Sequence, residues 1–229
     1  MKTAVVQFPG SNCDLDVFHV LKDILKVETD LIWHEDLAGR EYDSIILPGG
    51  FSYGDYLRAG TIAAHSPAME HVRTMAEEGR PVLGICNGFQ ILIESGLLPG
   101  ALLRNECLTF VCKWVKVRVE TSDTVFTRNI PKGTVLNMPI AHAEGRYVNE
   151  PEDLEQLDEN GQIVFRYISE QSILSEDSNP NGSMDFIAGI CNEDGNVVGL
   201  MPHPERAAEP ILSPFFDSDG LRILAALKG

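Results

Sequence analysis

Apolar segments alternate with amphipathic ones through the first half of the chain. Four short segments rich in apolar residues are expected to be strands, at 3–8, 27–33, 44–50 and 81–85. Short, mostly apolar runs are typical of strands that are buried on both faces. Helical spacing appears between them, at 13–26, from Ser66-Pro67 to Gly79, and at 87–95. The alternation predicts a parallel sheet with helices on both faces.

The segment 13–26 is expected to form the first helix. Its buried face is predicted to consist of Leu15, Phe18, Leu21 (or Val20), Ile24 and Leu25. Ser11 or Asn12 is in place to cap the helix, and Asp14 and Asp16 suit the positive end of its dipole.

The second half of the chain changes pattern. The stretch 108–120 alternates polar and apolar residues, which predicts a long, half-exposed antiparallel strand. Further strands are expected at 162–168, 185–192 and 196–202, and helices at 151–160 and 217–229. No repeat or linker interrupts this order. We therefore predict one α/β domain over 1–229, with a doubly wound, mostly parallel sheet flanked by helices and additional antiparallel strands in the second half.

Charge and cysteine usage narrow the functional classes. The 229 residues carry 18 basic and 34 acidic side chains, a net charge of −16, which disfavours binding to nucleic acid or to an anionic membrane. No segment approaches the ~20 apolar residues of a membrane helix, and the start lacks the features of a signal peptide, so a cytoplasmic location is expected. Five cysteines without a Cys-x-x-Cys pair fit free thiols better than disulfides or a zinc site.

Cys86 lies between two glycines where the strand at 81–85 meets the helix at 87–95, in "VLGICNGFQIL". A side chain at so sharp a turn projects above the sheet, and its neighbours must be very small because other elements pass close by. The helix N-terminus favours a thiolate there, and the Asn87 N–H would point at an oxyanion formed by attack of the sulfur. From this motif alone, a nucleophile and a small apolar corner residue are equally good interpretations.

The segment "GLMPHPER" at 199–206 offers a base for such a thiol. His203 lies between two prolines, and Glu205 follows two residues later, so both side chains project the same way from an extended segment. An imidazole accepts and returns a thiol proton best when a carboxylate fixes its tautomer. The pattern predicts a triad of Cys86, His203 and Glu205; the alternative is a polar turn whose charges face water.

Gly49 and Gly50 lie within "LPGGFSYGDYLRAG" at 47–60, directly after a strand. Consecutive glycines let backbone N–H groups approach a ligand closely, and ligands of open α/β sheets bind at this end of the strands. One of the two N–H groups is expected to be an oxyanion donor opposite Asn87. The phosphate-loop pattern G-x-x-x-x-G-K-[ST] is absent, so an ordinary turn is the remaining alternative.

Together these motifs resemble those of the class I, or triad, glutamine amidotransferases, which have a flavodoxin-like fold. Two segments carry the resemblance to the class: the strand-to-helix turn at 84–88 around Cys86, here called the elbow, and the Pro-His-Pro-Glu segment at 202–205. Further segments are similar to the purine-pathway branch of that class: "FPGSNCD", "GGFSYGDYLRAG", "GLLPGALLRN", "AHAEGR", "NPNGS" and "IAGI". The resemblance extends nearly end to end.

The resemblance implies glutamine hydrolysis through a γ-glutamyl thioester on Cys86, with His203 as base and then acid and Glu205 as its orienting carboxylate. It implies an oxyanion hole and a set of substrate contacts. The oxyanion hole is formed by the N–H groups of Gly50 and Asn87, and the substrate contacts are Gly49, Gln90, His142 and Glu144. The remaining cysteines, Cys13 among them, are expected to be core or strand thiols.

The resemblance also implies partners. Ammonia passes to a separate synthetase subunit, which uses ATP and Mg²⁺ to convert formylglycinamide ribonucleotide to the amidine, and a small accessory subunit bridges the two. No cofactor or metal is expected on this chain itself.

One loop departs from the pattern of the family. "AHAEGR" at 141–146 has Ala143 where glycine is typical, which puts in doubt any backbone contact that needs a positive φ there. His142 is equally well interpreted as a structural histidine or as a ligand contact.

Two rival functions are kept. A free-standing amide hydrolase could use the same triad without delivering ammonia, and a cysteine-bearing module could bind a ligand without turnover. His203 and Glu205 weigh against the binding module, and the purine-branch motifs weigh against the free-standing hydrolase.

Overall fold

The structure is a computed structural model that describes residues 1–169, 171 and 173–228, so the last residue of the helix expected at 217–229 lies outside the described residues. The strands, in chain order, are β1 (Lys2–Gln7), β2 (Glu28–Trp33), β3 (Ser44–Leu47), β4 (Val82–Ile85), β5 (Ala101–Leu103), β6 (Val111–Val119), β7 (Val135–His142), β8 (Arg146–Val148), β9 (Ile163–Ile168), β10 (Ile187–Cys191) and β11 (Val197–Leu200).

The helices follow the predicted order, with a short helix over Thr61–Ala64 as an unpredicted addition. They are α1 (Asp14–His19), α2 (Thr61–Ala64), α3 (Pro67–Glu77), α4 (Asn87–Glu94), α5 (Pro151–Glu159) and α6 (Asp219–Leu224). A π-helical turn over Val20–Ile24 continues α1, and a 3₁₀ turn over Ala225–Lys228 continues α6. No helix in the described part of the chain is long and apolar enough to cross a membrane.

In the described residues, a nine-stranded sheet has the order β2-β1-β3-β4-β11-β10-β9-β6-β7, and β5 pairs with β8 separately. The strands from β2 to β11 in this order are parallel, and those from β11 to β7 are antiparallel. Every residue of β3, β4, β10 and β11 is buried, so the core lies along the middle of the sheet. The predicted fold class is confirmed.

The pairing of β4 with β11 matters most for the site. These strands are parallel, with Gly84 opposite Gly199 and Ile85 opposite Leu200. The Cys86 N–H continues the ladder by donating to the Leu200 carbonyl oxygen at 2.8 Å. Parallel strands end at the same edge of the sheet, so the segment after β11 begins beside Cys86.

The face of the first helix differs from the prediction. Leu15 is 63% exposed, whereas Val17, Val20 and Leu21 are buried. The N-cap residue is Cys13, which makes no side-chain capping bond, and the Ser11 hydroxyl accepts the Phe8 N–H instead. The predicted cap is therefore wrong, as is Leu15 on the buried face. The π-helical turn changes the angular register, which a uniform helical period cannot anticipate.

Strand β7 was not predicted, because Pro139 lies in its middle and proline disfavours a sheet interior. Its position explains the exception. β7 is the edge strand of the sheet and pairs only with β6 among the described strands. The Pro139 carbonyl oxygen accepts the His203 N–H at 2.8 Å, so this edge also holds the segment after β11.

Candidate active site

The turn between β4 and α4 places Cys86 in a strained backbone conformation, with φ 50° and ψ −102°. A β-carbon added at Gly88 would lie 1.9 Å from the Leu47 carbonyl oxygen, and one added at Gly84 would lie 2.6 Å from that of Gly88. Only glycine fits at either position. A positive φ at a non-glycine residue costs about 1–3 kcal/mol and persists where the surrounding packing imposes it. The close packing that the sequence motif predicts around Cys86 is confirmed.

Two backbone N–H groups beside Cys86 can donate hydrogen bonds to a negatively charged oxygen. Asn87 is the first residue of α4, so its N–H has no partner within the helix. Gly50 forms an isolated antiparallel bridge with Ser11. Its N–H donates to no backbone carbonyl oxygen among the described residues. Gly50 borders the same cavities as Cys86. Both predicted oxyanion donors therefore lie near the sulfur.

Gly49 and Gly50 are glycines because the loop is crowded. A β-carbon at Gly49 would lie 2.8 Å from His203 Cε1 and 3.0 Å from Cys13 Sγ. Gly50 has φ +151°, and a β-carbon there would lie 2.7 Å from the Gly10 carbonyl oxygen. The glycine pair thus lets the loop pack directly against the imidazole.

His203 and Glu205 form a buried pair. The Nδ1 atom of His203 lies 2.6 Å from Oε1 of Glu205, and each residue is 1% exposed. A neutral imidazole with this partner carries its proton on Nδ1 and presents a lone pair at Nε2. Burial lowers the pKa of His203, but the attraction of Glu205 and of Cys86, together with the nearby sulfur atoms of Cys13 and Cys86, outweighs burial and raises that pKa well above 6.5.

Cys86 and His203 are brought together but are not aligned for proton transfer. The Nε2 atom of His203 is buried and makes no hydrogen bond of normal geometry. The Cys86 thiol instead approaches the Ala141 carbonyl oxygen at 3.8 Å. Catalytic hydrogen bonds are often long or poorly directed in the absence of substrate.

A second thiol, Cys13, also lies beside the imidazole. It is 2% exposed, and its Sγ lies 3.2 Å from Nη2 of Arg206 and 3.2 Å from Oδ1 of Asn12. Burial raises the pKa of Cys13 despite the nearby imidazole of His203. The expectation of an ordinary core thiol did not anticipate these neighbours, because only the packing of the 10–13 turn against Gly49 brings Cys13 to the site.

Cys13, His203 and Glu205 offer ligand atoms within 4.8 Å of one another, which is a spacing that a metal ion could use. The surrounding charges argue against this use. Arg206 places a guanidinium against the Cys13 sulfur, and Glu205 already pairs with Nδ1 of His203. The donor set is better suited to hold the imidazole in place than to hold a cation.

The Gln90 side chain joins helix α4 to the 141–146 loop. Its Nε2 donates to the Glu144 carbonyl oxygen at 2.5 Å, and its Oε1 accepts from Nδ2 of Asn87 at 2.9 Å. His142 Nδ1 lies 2.9 Å from Oδ1 of Asn105, while its Nε2 is buried without a partner. One ring nitrogen of His142 thus has a structural role, and a ligand contact through the other stays a prediction.

The glycine typical of the family is not needed at Ala143, which does not have a positive φ. The glycine that matters in this loop is Gly145, where a β-carbon would lie 2.4 Å from the His142 ring. The loop therefore tolerates alanine at position 143 while Gly145 keeps room for the imidazole.

Two small cavities meet at Cys86. One of about 70 Å³ is lined by Gly50, Phe51, Asp55, Cys86, Gln90, Ala141, His142, Ala143 and Glu144. The other, of about 90 Å³, lies on the side of Cys13, Phe110, His203 and Arg206. A larger cleft of about 450 Å³ borders Leu98 and Leu157, but no thiol or imidazole lines it. The chemistry favours the two cavities at Cys86 over the larger cleft.

Asp55 lines the cavity with the predicted substrate residues but was not singled out from the sequence. Burial, and secondarily the charge of Glu144, raises the pKa of Asp55 to about 6. The residue lies in "GGFSYGDYLRAG", yet nothing in that pattern separates Asp55 from a solvated loop residue.

Comparison with known proteins identifies the family. The model of the CobB/CobQ-like glutamine amidotransferase domain matches residues 1–223. This chain belongs to that family. It is 52% identical over 227 residues to the phosphoribosylformylglycinamidine synthase subunit PurQ of Methanosarcina acetivorans, covering 99% of this chain and 97% of the relative. The PurQ subunit of Methanosarcina barkeri is 54% identical over 229 residues, with the same coverage.

A solved structure supports the same relationship for this amidotransferase. The chain matches one in the structure of PurLQS from Thermotoga maritima with a TM-score of 0.85 and 44% identity, covering 99% of this chain and 96% of that one. The glutaminase domain of Trypanosoma brucei CTPS, with bound acivicin, matches with a TM-score of 0.60 over 99% of this chain and 93% of that one, but at only 16% identity, which shows the fold alone.

Proposed function

We propose that this chain is the glutaminase subunit of phosphoribosylformylglycinamidine synthase. It hydrolyses glutamine and supplies the ammonia to a synthetase subunit, which uses ATP and Mg²⁺ to convert formylglycinamide ribonucleotide to formylglycinamidine ribonucleotide. A small accessory subunit completes the complex. One observation carries the proposal: a strained cysteine meets a buried His203–Glu205 pair in a chain more than half identical to PurQ subunits.

The first half of the proposed reaction forms a thioester. His203 accepts the Cys86 proton at Nε2, and the attraction of Glu205, which raises the pKa of His203, stabilises the imidazolium that results. The sulfur attacks the γ-carbonyl carbon of glutamine, and the N–H groups of Gly50 and Asn87 donate to the oxyanion. The imidazolium then returns its proton to the amide nitrogen, the C–N bond breaks, and ammonia leaves.

The second half regenerates the thiol. His203 takes a proton from a water molecule, which attacks the thioester carbonyl carbon through the same oxyanion geometry. The C–S bond breaks, glutamate is released, and Cys86 recovers its proton. Glu205 holds the imidazole orientation throughout, because its hydrogen bond fixes the proton on Nδ1.

The size of the cavity supports activation by the partner. About 70 Å³ is well below the ~300–1,000 Å³ of common ligand clefts. The Cys86 thiol also points at Ala141 rather than at His203 Nε2. The free subunit therefore turns over glutamine slowly, and contact with the synthetase opens and aligns the site. We also place the reaction in the cytoplasm, where free thiols stay reduced.

The test measures glutamate release by the purified chain with and without the synthetase subunits, ATP and formylglycinamide ribonucleotide. We expect feeble release by the chain alone, strong stimulation in the complex, and none for Cys86→Ala. Ammonia-dependent amidine synthesis should survive in the Cys86→Ala complex, because only the nitrogen supply is removed. Cys191→Ala is the matched control, since it removes a buried thiol of β10 that borders neither cavity.

Equal glutamate release alone and in the complex would instead favour a free-standing hydrolase. Turnover retained by folded Cys86→Ala protein would refute the mechanism, and no release by wild-type protein under any condition would favour a binding module.

A further inference from the structure

The two cavities that meet at Cys86 differ in their access to the imidazole of His203. The cavity of about 90 Å³ has His203 in its lining, whereas the described residues that line the cavity of about 70 Å³ do not include it. Nδ1 of His203 is paired with Glu205, so Nε2 is the atom that gives a proton to the leaving nitrogen. A leaving group protonated by Nε2 departs on the side of that atom. Ammonia is therefore released toward the 90 Å³ cavity.

The size and lining of this cavity suit uncharged ammonia. One water molecule takes about 30 Å³ in the liquid, and ammonia is of similar size, so a cavity of about 90 Å³ has room for either. Phe51, Phe110 and Ala141 give the cavity apolar walls, and no carboxylate is among the described residues that line it. An ammonium ion would lose part of its hydration there without gaining a counterion, which disfavours the charged form.

Arg206 places a guanidinium in the wall of this cavity. Its Nη2 donates to Sγ of Cys13 at 3.2 Å, and its Nε lies 3.3 Å from Oδ2 of Asp16. The Cys13 thiol in turn donates to Oδ1 of Asn12 at 3.2 Å, which leaves the sulfur lone pairs free to accept from the guanidinium. Cys13 and Asp16 thus hold the guanidinium in position.

The two carboxylates closest to Arg206 do not line the 90 Å³ cavity. Glu205 is bound to Nδ1 of His203, the ring nitrogen that does not face Cys86 in the proposed reaction. Asp16 is paired with Arg206 itself, and its side chain is 48% exposed, so solvent screens its charge. A molecule in the cavity therefore meets the guanidinium first. This charge repels ammonium but leaves neutral ammonia unaffected.

Arg206 also lines a second space, a cleft of about 440 Å³. Three carboxylates border this cleft, those of Asp16, Glu205 and Glu209, and they would attract ammonium. Arg206 is the one described residue that the linings of the cleft and of the 90 Å³ cavity share. Its side chain therefore stands between a cavity without carboxylates and a cleft that has three.

We propose that Arg206 is the barrier that keeps newly released ammonia uncharged and inside the 90 Å³ cavity until the synthetase takes it up. This inference rests on the proposed function and adds a residue for the transfer of ammonia. Arg206 acts after the C–N bond has broken, through the bulk and the charge of its side chain. Without it, ammonia reaches the cleft, takes a proton from water to give ammonium and hydroxide, and is lost to solvent.

The test measures how much amidine the complete complex forms for each glutamate that it releases, with L-glutamine and no added ammonium salt. Escape of ammonia lowers this product ratio, because glutamate is released whether or not the ammonia is used. We expect the wild-type complex to form nearly equal amounts of the two products, and Arg206→Ala to lower the ratio at least about twofold. Arg206→Lys, which keeps a long side chain and its positive charge, should restore most of the ratio.

Arg222→Ala is the matched control. It removes an exposed arginine of α6 that lines neither the cavity nor the cleft, so its product ratio should equal that of wild type. Saturating ammonium chloride should restore amidine formation by the Arg206→Ala complex, because the synthetase then no longer depends on ammonia from the cavity. That result shows that the variant complex is assembled.

A wild-type product ratio in Arg206→Ala would overturn the inference. A ratio that stays as low in Arg206→Lys as in Arg206→Ala would overturn it too. Loss of glutamate release in both variants would also overturn it, and would instead give Arg206 a role in holding Cys13 and His203. The proposed function is judged separately, because it fails if folded Cys86→Ala protein retains glutaminase turnover.

Discussion

Several side chains of this site are held in states that are unfavourable in isolation. Cys86 has a strained backbone, Asp55 has an unpaired carboxylate oxygen, and His203 is buried with a raised pKa. Each state is maintained by a particular neighbour: the glycines of the elbow, the packing of the 51–60 loop, and the Glu205 carboxylate. Removing such a neighbour should therefore change kcat and the free energy of unfolding, and the two effects can be measured separately.

Glu205→Gln tests the control of the imidazole. Without the carboxylate the pKa of His203 falls, because the attraction that opposes burial is lost. The proton is also no longer fixed on Nδ1. We expect kcat for glutamine in the complex to fall by about 10²–10⁴-fold while folding is retained. Glu209→Gln, which removes a half-buried carboxylate beside His19, should leave kcat unchanged, and an unchanged kcat in Glu205→Gln would contradict this role.

Asp55→Asn should stabilise the free chain at high pH. The pKa of Asp55 is raised to about 6 from 3.8, so the folded state holds this proton more tightly than the unfolded state does. The ionised Asp55 carboxylate therefore lowers the free energy of unfolding. This loss is absent below pH 3.8, grows between pH 3.8 and 6, and is complete above pH 6. We expect the variant to be about 1 kcal/mol more stable at pH 8, after allowing for screening of a partly exposed group, and equal at pH 3.5.

Urea unfolding of both proteins across this pH range measures the difference. A variant that is less stable than wild type at pH 8 would show that the ionised Asp55 carboxylate stabilises the folded chain, and it would contradict this expectation.

At the level of elements, the site depends on two parallel strands that end together. Cys86 follows β4, and His203 follows β11 three residues after its last residue. The register, with Gly84 opposite Gly199, brings both residues to the same edge of the sheet. Helix α4 must then lie almost against β3, because Gly88 meets the Leu47 carbonyl oxygen. The elbow is therefore a packing junction as well as a catalytic position.

Gly88→Ala tests this junction. The added β-carbon would lie 1.9 Å from backbone of β3, which cannot move away cheaply. We expect a loss of about 3 kcal/mol in the free energy of unfolding, together with loss of glutaminase activity. Gly96→Ala is the control: it has φ +70° with nothing within 4 Å, so it should cost only about 1 kcal/mol. Equal losses, measured by urea unfolding, would contradict the packing account.

The sequence predicted those parts of the site whose signal is local. The elbow around Cys86 and the Pro-His-Pro-Glu segment are contiguous motifs, and the strands before them are continuous apolar runs. Cys13 and Asp55 could not be found this way, because their roles arise from packing between distant turns and from backbone with positive φ. Strand β7 was missed because its proline is tolerated only at a sheet edge, and an edge is a property of the whole topology.

For the whole molecule, the sequence, the fold and the site agree on a glutamine amidotransferase. The identity with PurQ subunits extends over 99% of the chain. The cavity beside Cys86 measures only about 70 Å³, and the Cys86 thiol lies 3.8 Å from the Ala141 carbonyl oxygen. We expect assembly with the synthetase to bring sulfur, imidazole and glutamine into line.

The most direct measurement is the location of the acyl group during turnover. The complete complex is quenched in acid while it consumes glutamine, digested, and analysed by mass spectrometry. We expect a γ-glutamyl thioester on the peptide that contains Cys86. A thioester on Cys13, which flanks the same imidazole, or glutamate release with no modified cysteine, would contradict it.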